Sequence, residues 1–422
     1  MIETDYDVLV IGGGPGGSCA AAYARKHGYR TLLVEKCEFP RFRIGESMLP
    51  TSNAILRDIG AWPKIEAAGF IPKYGAMFYL AHGVGEKEVD FRNSFVPGLE
   101  STYQVERAKF DGLLLDHARE LGAEVRMQTT VRAIESDCDG NRVELEGAGG
   151  RQTVTARWVL DASGRDNFFV TDQKRAIDPP TSAKRMAVYS HFHHVARPAG
   201  RRAGHTIVVR LEDGWFWIIP IDERRTSVGL VTTLEAMRRA NVEPAELFRR
   251  AVAGSDKLRE LMTGAEPVLG FHVTSDYTYF RRELAQERLL LVGDAAGFFD
   301  PIFSSGVYMS LWSAQLAVGL IARADATGRG LTARERRDYT RTVKAHAGVF
   351  RRLIAMFYDN RSFAVFMSEQ VPYDLMPGLT SIVAGHANLI WPLWWRFKVF
   401  LLICWLQRWF NLAAPLEYGV KR

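Results

Sequence analysis

Residues 5–11, DYDVLVI, run straight into GGGPGG, and few folds tolerate that junction. The apolar, β-branched run reads as a strand buried in a parallel sheet. Gly12, Gly14 and Gly17 then give GxGxxG spacing, Ser18 to Lys26 reads as a helix, and Gly28 ends it. A second strand, RTLLV at 30–34, delivers Glu35, 21 positions after Gly14. Glycines at these places permit a tight turn and close approach of a pyrophosphate, whose charge sits on the helix N-terminus. An acid at the end of the second strand is placed for ribose hydroxyls. A lone GxGxxG says little; strand, turn, helix, strand and acid in register specify a dinucleotide site. This unit alone does not separate FAD from NAD.

The remaining composition bounds the partners. With 422 residues, 47% hydrophobic and 24% charged, the chain has the make-up of a soluble globular protein of one large α/β unit or two to three domains. The net charge of +6 is scattered, with no Lys/Arg block or zinc-finger spacing, which argues against nucleic acid. Four cysteines (Cys19, Cys37, Cys138, Cys404) show no CxxC, and the N-terminus carries no signal peptide, so a reduced, cytoplasmic setting is expected. Residues 388–412, NLIWPLWWRFKVFLLICWLQRWFNL, are rich in Trp, Phe and Leu, but Arg396, Lys398, Arg408 and Pro392 interrupt them. The longest uncharged run, Val399 to Gln407, is too short to span a bilayer. A packed helix, a lid over an apolar substrate and a peripheral membrane contact all remain open for it.

A distant segment decides the cofactor. Residues 289–317 read as a strand, LLLV, then Gly293-Asp294, small residues, Asp300-Pro301 and a helix beginning near Ser305. This resembles the second flavin motif of para-hydroxybenzoate hydroxylase-like flavoproteins, in which the Asp of the GD pair binds the ribityl chain. Gln104-Val-Glu-Arg107 with Phe110-Asp111, and VLDASGR at 159–165, resemble that superfamily's other FAD contacts. The resemblance implies FAD.

Two more segments narrow the reading. EDGWFWIIPI, 212–221, is by itself an aromatic strand of a substrate-side sheet, but its Trp215, Trp217, Ile219 and Pro220 have the WxWxIP spacing of flavin-dependent halogenases. GFIPKYGAMF, 69–78, holds one lysine among apolar and aromatic residues. Ordinarily such an amine reaches back to water along its stem. Here Gly69-Phe70, Lys73 and Gly75 resemble the segment that carries the halogenases' catalytic lysine. PRFRIGESMLP, 40–50, is similar to their RxxxGES stretch, and DPIFSSGV to their flavin-proximal loop. The resemblance covers about residues 1–345 and is closest to the phenol and pyrrole branch. Tryptophan halogenases place a glutamate before the loop serine, whereas Phe303 precedes Ser304 here.

The family's chemistry implies that a separate flavin reductase supplies reduced FAD (FADH2), which with dioxygen and chloride or bromide yields hypohalous acid. That species travels through an interior tunnel to Lys73, which aims it at an electron-rich phenol or pyrrole, free or bound to an acyl-carrier protein. By the same resemblance, Lys73, Ser304 and Glu46 are the catalytic candidates, with Glu46 either a structural hydrogen-bonding partner or a proton relay. Gly12, Gly14, Gly17, Glu35, Arg41, Arg107, Asp294, Pro301 and Gly306 contact FAD, and amides at Ser305 and Gly306 hold halide. Trp215, Trp217 and Phe303 lie on the tunnel and substrate side, with Phe70, Tyr74, Phe78 and the tryptophans around the amine. Asp300 caps or orients the loop. His191, His193 and His194 sit in SHFHHV, whose alternation suggests a strand; strand packing is the first reading and a base for a phenol the second, and with no carboxylate at metal-ligand spacing no metal is expected. An FAD-dependent aromatic monooxygenase and a prenyl-lipid reductase are the alternatives.

The expected fold class is α/β. A Rossmann-like FAD-binding domain uses residues 1–70, 104–180 and 275–345. An antiparallel substrate sheet uses 71–103 and 181–274, and a helical region, 346–422, is broken at Pro372, Pro377, Gly385 and Pro392.

Overall fold

A computed structural model describes residues 4–82, 85–166, 184–275, 278–368 and 374–416. The expected strands form as Tyr6–Ile11 and Thr31–Val34, and the helix between them is Pro15–Lys26. It starts three residues before Ser18 because Pro15 sits in its first turn, where a missing N–H costs nothing.

Tyr6–Ile11 lies in parallel between Thr31–Val34 and the long strand Gly150–Asp161. The first half of Gly150–Asp161 pairs antiparallel with Asn141–Gly147, and its last three residues pair in parallel with Leu289–Leu291. That hand-over matters for the site. It sets Gly293-Asp294 beside the glycine turn, although the two are far apart in sequence. The helices Pro15–Lys26, Arg107–Glu120 and Ser305–Asp325 pack together on this sheet. Among the described residues only Ser305–Asp325 is long and apolar enough to cross a membrane, and most of it is buried within the fold.

The second sheet runs Glu266–Pro267, Arg185–His193, Thr226–Thr233, Gly214–Pro220, Thr206–Arg210, Gly75–Leu80, Glu86–Asp90, with His272–Ser275 also on Arg185–His193. It is not wholly antiparallel as expected: Thr206–Arg210 and Gly75–Leu80 run in parallel, joining two separate stretches of chain. Gly214–Pro220 is buried on both faces, which is why it lacks polar alternation. Trp215, Trp217 and Ile219 face the core shared with the first sheet. Phe216 and Ile218 face a second core with Phe248 and Leu258. A short ladder, Ile71–Lys73 with Thr102–Gln104, joins the layers.

The C-terminal region is helical: Ala333–Tyr358, Asn360–Met367, Leu375–Val383 and Trp391–Leu406. Pro377 and Pro392 do not break helices; each falls in a first turn, where its fixed φ favours initiation. Pro372, and the expected boundary at 180, lie outside the described residues. The helix Ala333–Tyr358 passes through the expected boundary at 345.

Gly229, opposite Trp217 on the neighbouring strand, makes room for the indole: a Cβ there would lie 2.1 Å from a ring carbon. Gly229→Val should therefore destabilise the fold by about 1–3 kcal/mol through overpacking. Urea unfolding should also show the penalty largely relieved in the Gly229→Val/Trp217→Ala double variant.

Candidate active site

A cleft of about 1510 Å³ runs between the two sheets. Gly12, Gly14, Glu35, Arg41, Glu46, Arg107, Trp215, Trp217, Asp294, Pro301, Ser304 and Gly306 all line it. Gly12 has φ +97°, and a Cβ on it would press on Ala162 O at 2.5 Å; one on Gly17 would strike Gly12 O at 1.8 Å. Those two glycines pack helix on strand. Gly14 differs: a Cβ there would meet only Arg41, at 3.4 Å. Its bareness serves whatever occupies the cleft.

Glu35 accepts from the amides of Gly13 (2.7 Å) and Cys37 (2.9 Å). Asp111, fully buried, clamps two guanidiniums against the cleft, Arg107 at 2.8 and 3.0 Å and Arg41 at 3.2 Å. Burial pushes the Asp294 carboxyl up to about 6, against the pull of Arg107 and Arg165.

Arg281 also lines the cleft and is 2% exposed. Among the described residues none accepts from any of its three guanidinium nitrogens. A buried cation left so is costly, and phosphate oxygens would satisfy it. This donor set, the bare Gly14 and an acid at the end of each of two parallel strands fit FAD.

The loop after Asp300 closes one end of the cleft. Asp300 accepts from Ile302 N (3.2 Å), capping the turn Pro301–Phe303, and from the Tyr358 hydroxyl (2.6 Å). Burial raises the Asp300 carboxyl above the usual range. Trp215 Nε1 donates to the same Tyr358 oxygen at 2.7 Å, and Arg185 stacks on the Tyr358 ring at 3.6 Å. Ser304 takes a left-handed conformation, φ +55°, and Ser305 begins the helix with no side chain capping its first amides.

Lys73 lies behind this loop. It is 2% exposed, and its Nζ donates to Ser47 Oγ (2.8 Å) and Met48 O (2.9 Å), with the Phe91 ring at 5.4 Å. Desolvation lowers its pKa to about 7. The amine faces a chamber of about 20 Å³, lined also by Leu49, Phe78, Phe91, Phe303 and Val383. That holds about one water. Thr206, Val208, Ile302 and Ser304 line both chamber and cleft. One wall separates them.

The surroundings of the amine differ in part from expectation. Tyr74, in the break between the strands Ile71–Lys73 and Gly75–Leu80, points elsewhere and lies under Arg201 at 3.8 Å. Phe70 packs on Phe110, and the tryptophans line the cleft rather than the chamber. Of the expected neighbours Phe78 does enclose the lysine, joined by Phe91 and Phe303. Ser305 and Gly17 line neither cavity, although Ser305 is buried at the loop's end.

Against known proteins, the family described as an FAD binding domain matches residues 5–331. The chain is 34% identical, over 77% of each chain, to a 1H-pyrrole-2-carbonyl-[peptidyl-carrier protein] chlorinase of Pseudomonas fluorescens. It is 32% identical to a flavin-dependent halogenase of Armillaria mellea, over 92% of this chain and 82% of that one. The chain belongs to the flavin-dependent halogenases. The solved structure of the flavin-dependent brominase Bmp2 overlays with TM-score 0.83 at 26% identity, covering 94% of the halogenase and 98% of Bmp2.

The halogenase is an FAD enzyme, and reduced FAD with dioxygen supplies the oxidising power for halide. Sequence reading misses the roles of three side chains in its site. Glu46 and His191 are both buried, with His191 Nε2 2.8 Å from Glu46 Oε1. The strand alternation of SHFHHV puts His191 on one face of its strand without giving its partner. Tyr358 and Arg281 carry no motif. Among the described residues no group of three His, Cys, Asp or Glu could hold a metal.

The geometry carries two expected outcomes. Arg281→Leu should weaken FAD binding about tenfold or more, read by fluorescence titration of the apoprotein. Lys73→Met should raise stability by about 1–3 kcal/mol near neutral pH, because a buried amine costs more than a thioether. The folded amine titrates near 7 and the unfolded one near 10.5. The gain should therefore grow as pH falls from 10.5 to 7 and stay level below, as urea unfolding across pH would show.

Proposed function

We propose that this halogenase installs chlorine or bromine on an electron-rich aromatic ring, of the pyrrole or phenol class, presented on a carrier protein. The pyrrole-carrier relatives support the substrate class. The observation that carries the mechanism is Lys73: a buried amine, held by Ser47 and Met48, one wall away from the flavin cleft.

In this reading Gly12 and Gly14 with Glu35, Arg41, Arg107, Asp294, Pro301 and Gly306 seat FAD, and Gly17 supports the turn by letting the helix pack on Gly12. The uncapped amides at Ser305 and Gly306 hold halide, as helix N-termini hold anions. Hypohalous acid passes Ser304 and Thr206 into the chamber. Lys73, near its half-protonated state at neutral pH, hydrogen-bonds it or captures its halogen as a haloamine. Either form fixes electrophilic halogen beside one ring carbon. Glu46, paired with His191 at the cleft, is either a structural hydrogen-bonding partner or a relay that delivers the proton consumed there when hypohalous acid forms.

Trp215 and Trp217 keep the aromatic substrate off the flavin, and Phe303 is the apolar wall on the substrate side. A ring needs more room than the chamber has, so substrate entry displaces Phe303 and Val383. The division of labour follows an FAD-binding domain of 1–70, 104–180 and 275–345, a substrate layer of 71–103 and 181–274, and a C-terminal cover. A separate flavin reductase and a cytoplasmic location complete the proposal.

The test is mass spectrometry of free and carrier-bound pyrroles and phenols, with reductase, FAD and each halide. Wild type should give halide-dependent product. Lys73→Met should give none, while oxidation of reduced flavin continues at the wild-type rate. Product from the variant, or oxygenated product without halide, would refute the assignment.

A further inference from the structure

The helix Trp391–Leu406 is apolar on both faces. Leu393, Phe397, Phe400 and Cys404 form the buried one, packed on Leu375–Val383 and Asn360–Met367. The opposite face leaves Trp391 (71% exposed), Trp394 (40%), Leu402 (51%) and Trp405 (52%) open, and Trp409 (73%) and Phe410 (60%) continue it past the helix end. With Lys398, spacings of three and four put these on one stripe. A continuous apolar stripe of this kind marks a contact surface.

Charge identifies what covers it. From Leu375 to Leu416 the sequence has no Asp or Glu, but it has Arg396, Lys398 and Arg408. Lys398 lies within the stripe, its Nζ 5.7 Å from the Trp394 ring. Arg361 is drawn beside Arg408, donating to its carbonyl at 2.8 Å, and although Arg408 pairs with Asp359 at 3.1 Å the corner keeps a net positive charge. A lysine set among exposed indoles, with Arg361 and Arg408 at the end of the stripe, matches an anionic headgroup layer, where tryptophan rings sit at the apolar boundary. The helix has 16 residues, fewer than the roughly 20 needed to span, and its other face belongs to the core. It therefore lies along a surface.

We propose that this stripe docks the enzyme peripherally on an anionic phospholipid bilayer. The consequence is positional. The helix rests on Leu375–Val383, whose last residue, Val383, is a wall of the Lys73 chamber. Docking holds the chamber one helix away from lipid.

Flotation of the full chain with phosphatidylcholine vesicles, with and without phosphatidylglycerol, tests this. The protein should float with the anionic vesicles and should be released by raised salt. The Trp391→Ala/Trp405→Ala/Trp409→Ala variant should bind about tenfold more weakly or less, with FAD content and halogenation of a free substrate unchanged. Lys398→Glu should weaken binding only to the anionic vesicles. Wild type that stays in the soluble fraction, or a triple variant that floats equally well, overturns the proposal. So does a stripe that proves to cover a second copy of the chain, seen as a dimer that the triple variant dissociates, or an acidic carrier protein, without vesicle binding.

Discussion

The cost of placing an ammonium where water does not reach governs the site. Among the described residues Lys73 has no carboxylate as a hydrogen-bond partner; it has a hydroxyl and a carbonyl. A carboxylate would hold the amine protonated far above neutrality. Without one, burial alone brings its titration to about 7, where donor and nucleophile are both populated. Both partner oxygens come from Ser47-Met48, two and three residues after Gly45 of the RxxxGES stretch, so the segment that borders the cleft also sets the lysine. Ser47 is fixed in turn by Thr206 at 2.9 Å, which accepts from Gln104 Nε2 at 2.9 Å. Distant stretches of chain thus converge on one amine.

The C-terminal helices are part of this machinery. Tyr358, the last residue of Ala333–Tyr358, ties Asp300 of the flavin loop to Trp215 of the second sheet. Val383, at the end of another helix, closes the chamber. The FAD binding domain match ends at residue 331, so Tyr358 and Val383 supply contacts that the shared cofactor fold does not.

Whatever depends on local backbone chemistry is legible in the sequence. Glycine spacing, the acid at 35 and the GD pair announce the cofactor site because each requires a particular residue at a particular turn. Lys73 is identifiable as a residue, but its enclosure is not: the break between two strands at Tyr74, which turns that ring to Arg201 and away from the chamber, is not marked in the sequence. Pairs such as Glu46–His191 and Tyr358–Asp300 join residues 145 and 58 positions apart, and no short pattern encodes them. Arg281 is harder still, since its meaning lies in the lack of an acceptor among the described residues. Pro377 and Pro392 mislead because proline breaks a helix interior yet opens a helix start.

If the proposed route holds, two cavities with one wall also account for selectivity. An oxidant made in the same space as the aromatic ring would transfer oxygen directly. Here the cleft takes the large cofactor, and the chamber admits about one water-sized species beside the amine. Hypohalous acid meets that size limit and an aromatic ring does not. Leu49, Phe78, Phe91 and Val208 make most of the chamber lining apolar, with Thr206 and Ser304 the polar residues on the wall shared with the cleft. In the proposed reaction the ring enters from the other side, by displacing Phe303 and Val383. Size filters the oxidant at one end, and displaceable packing admits the substrate at the other. The lysine is where the two routes meet.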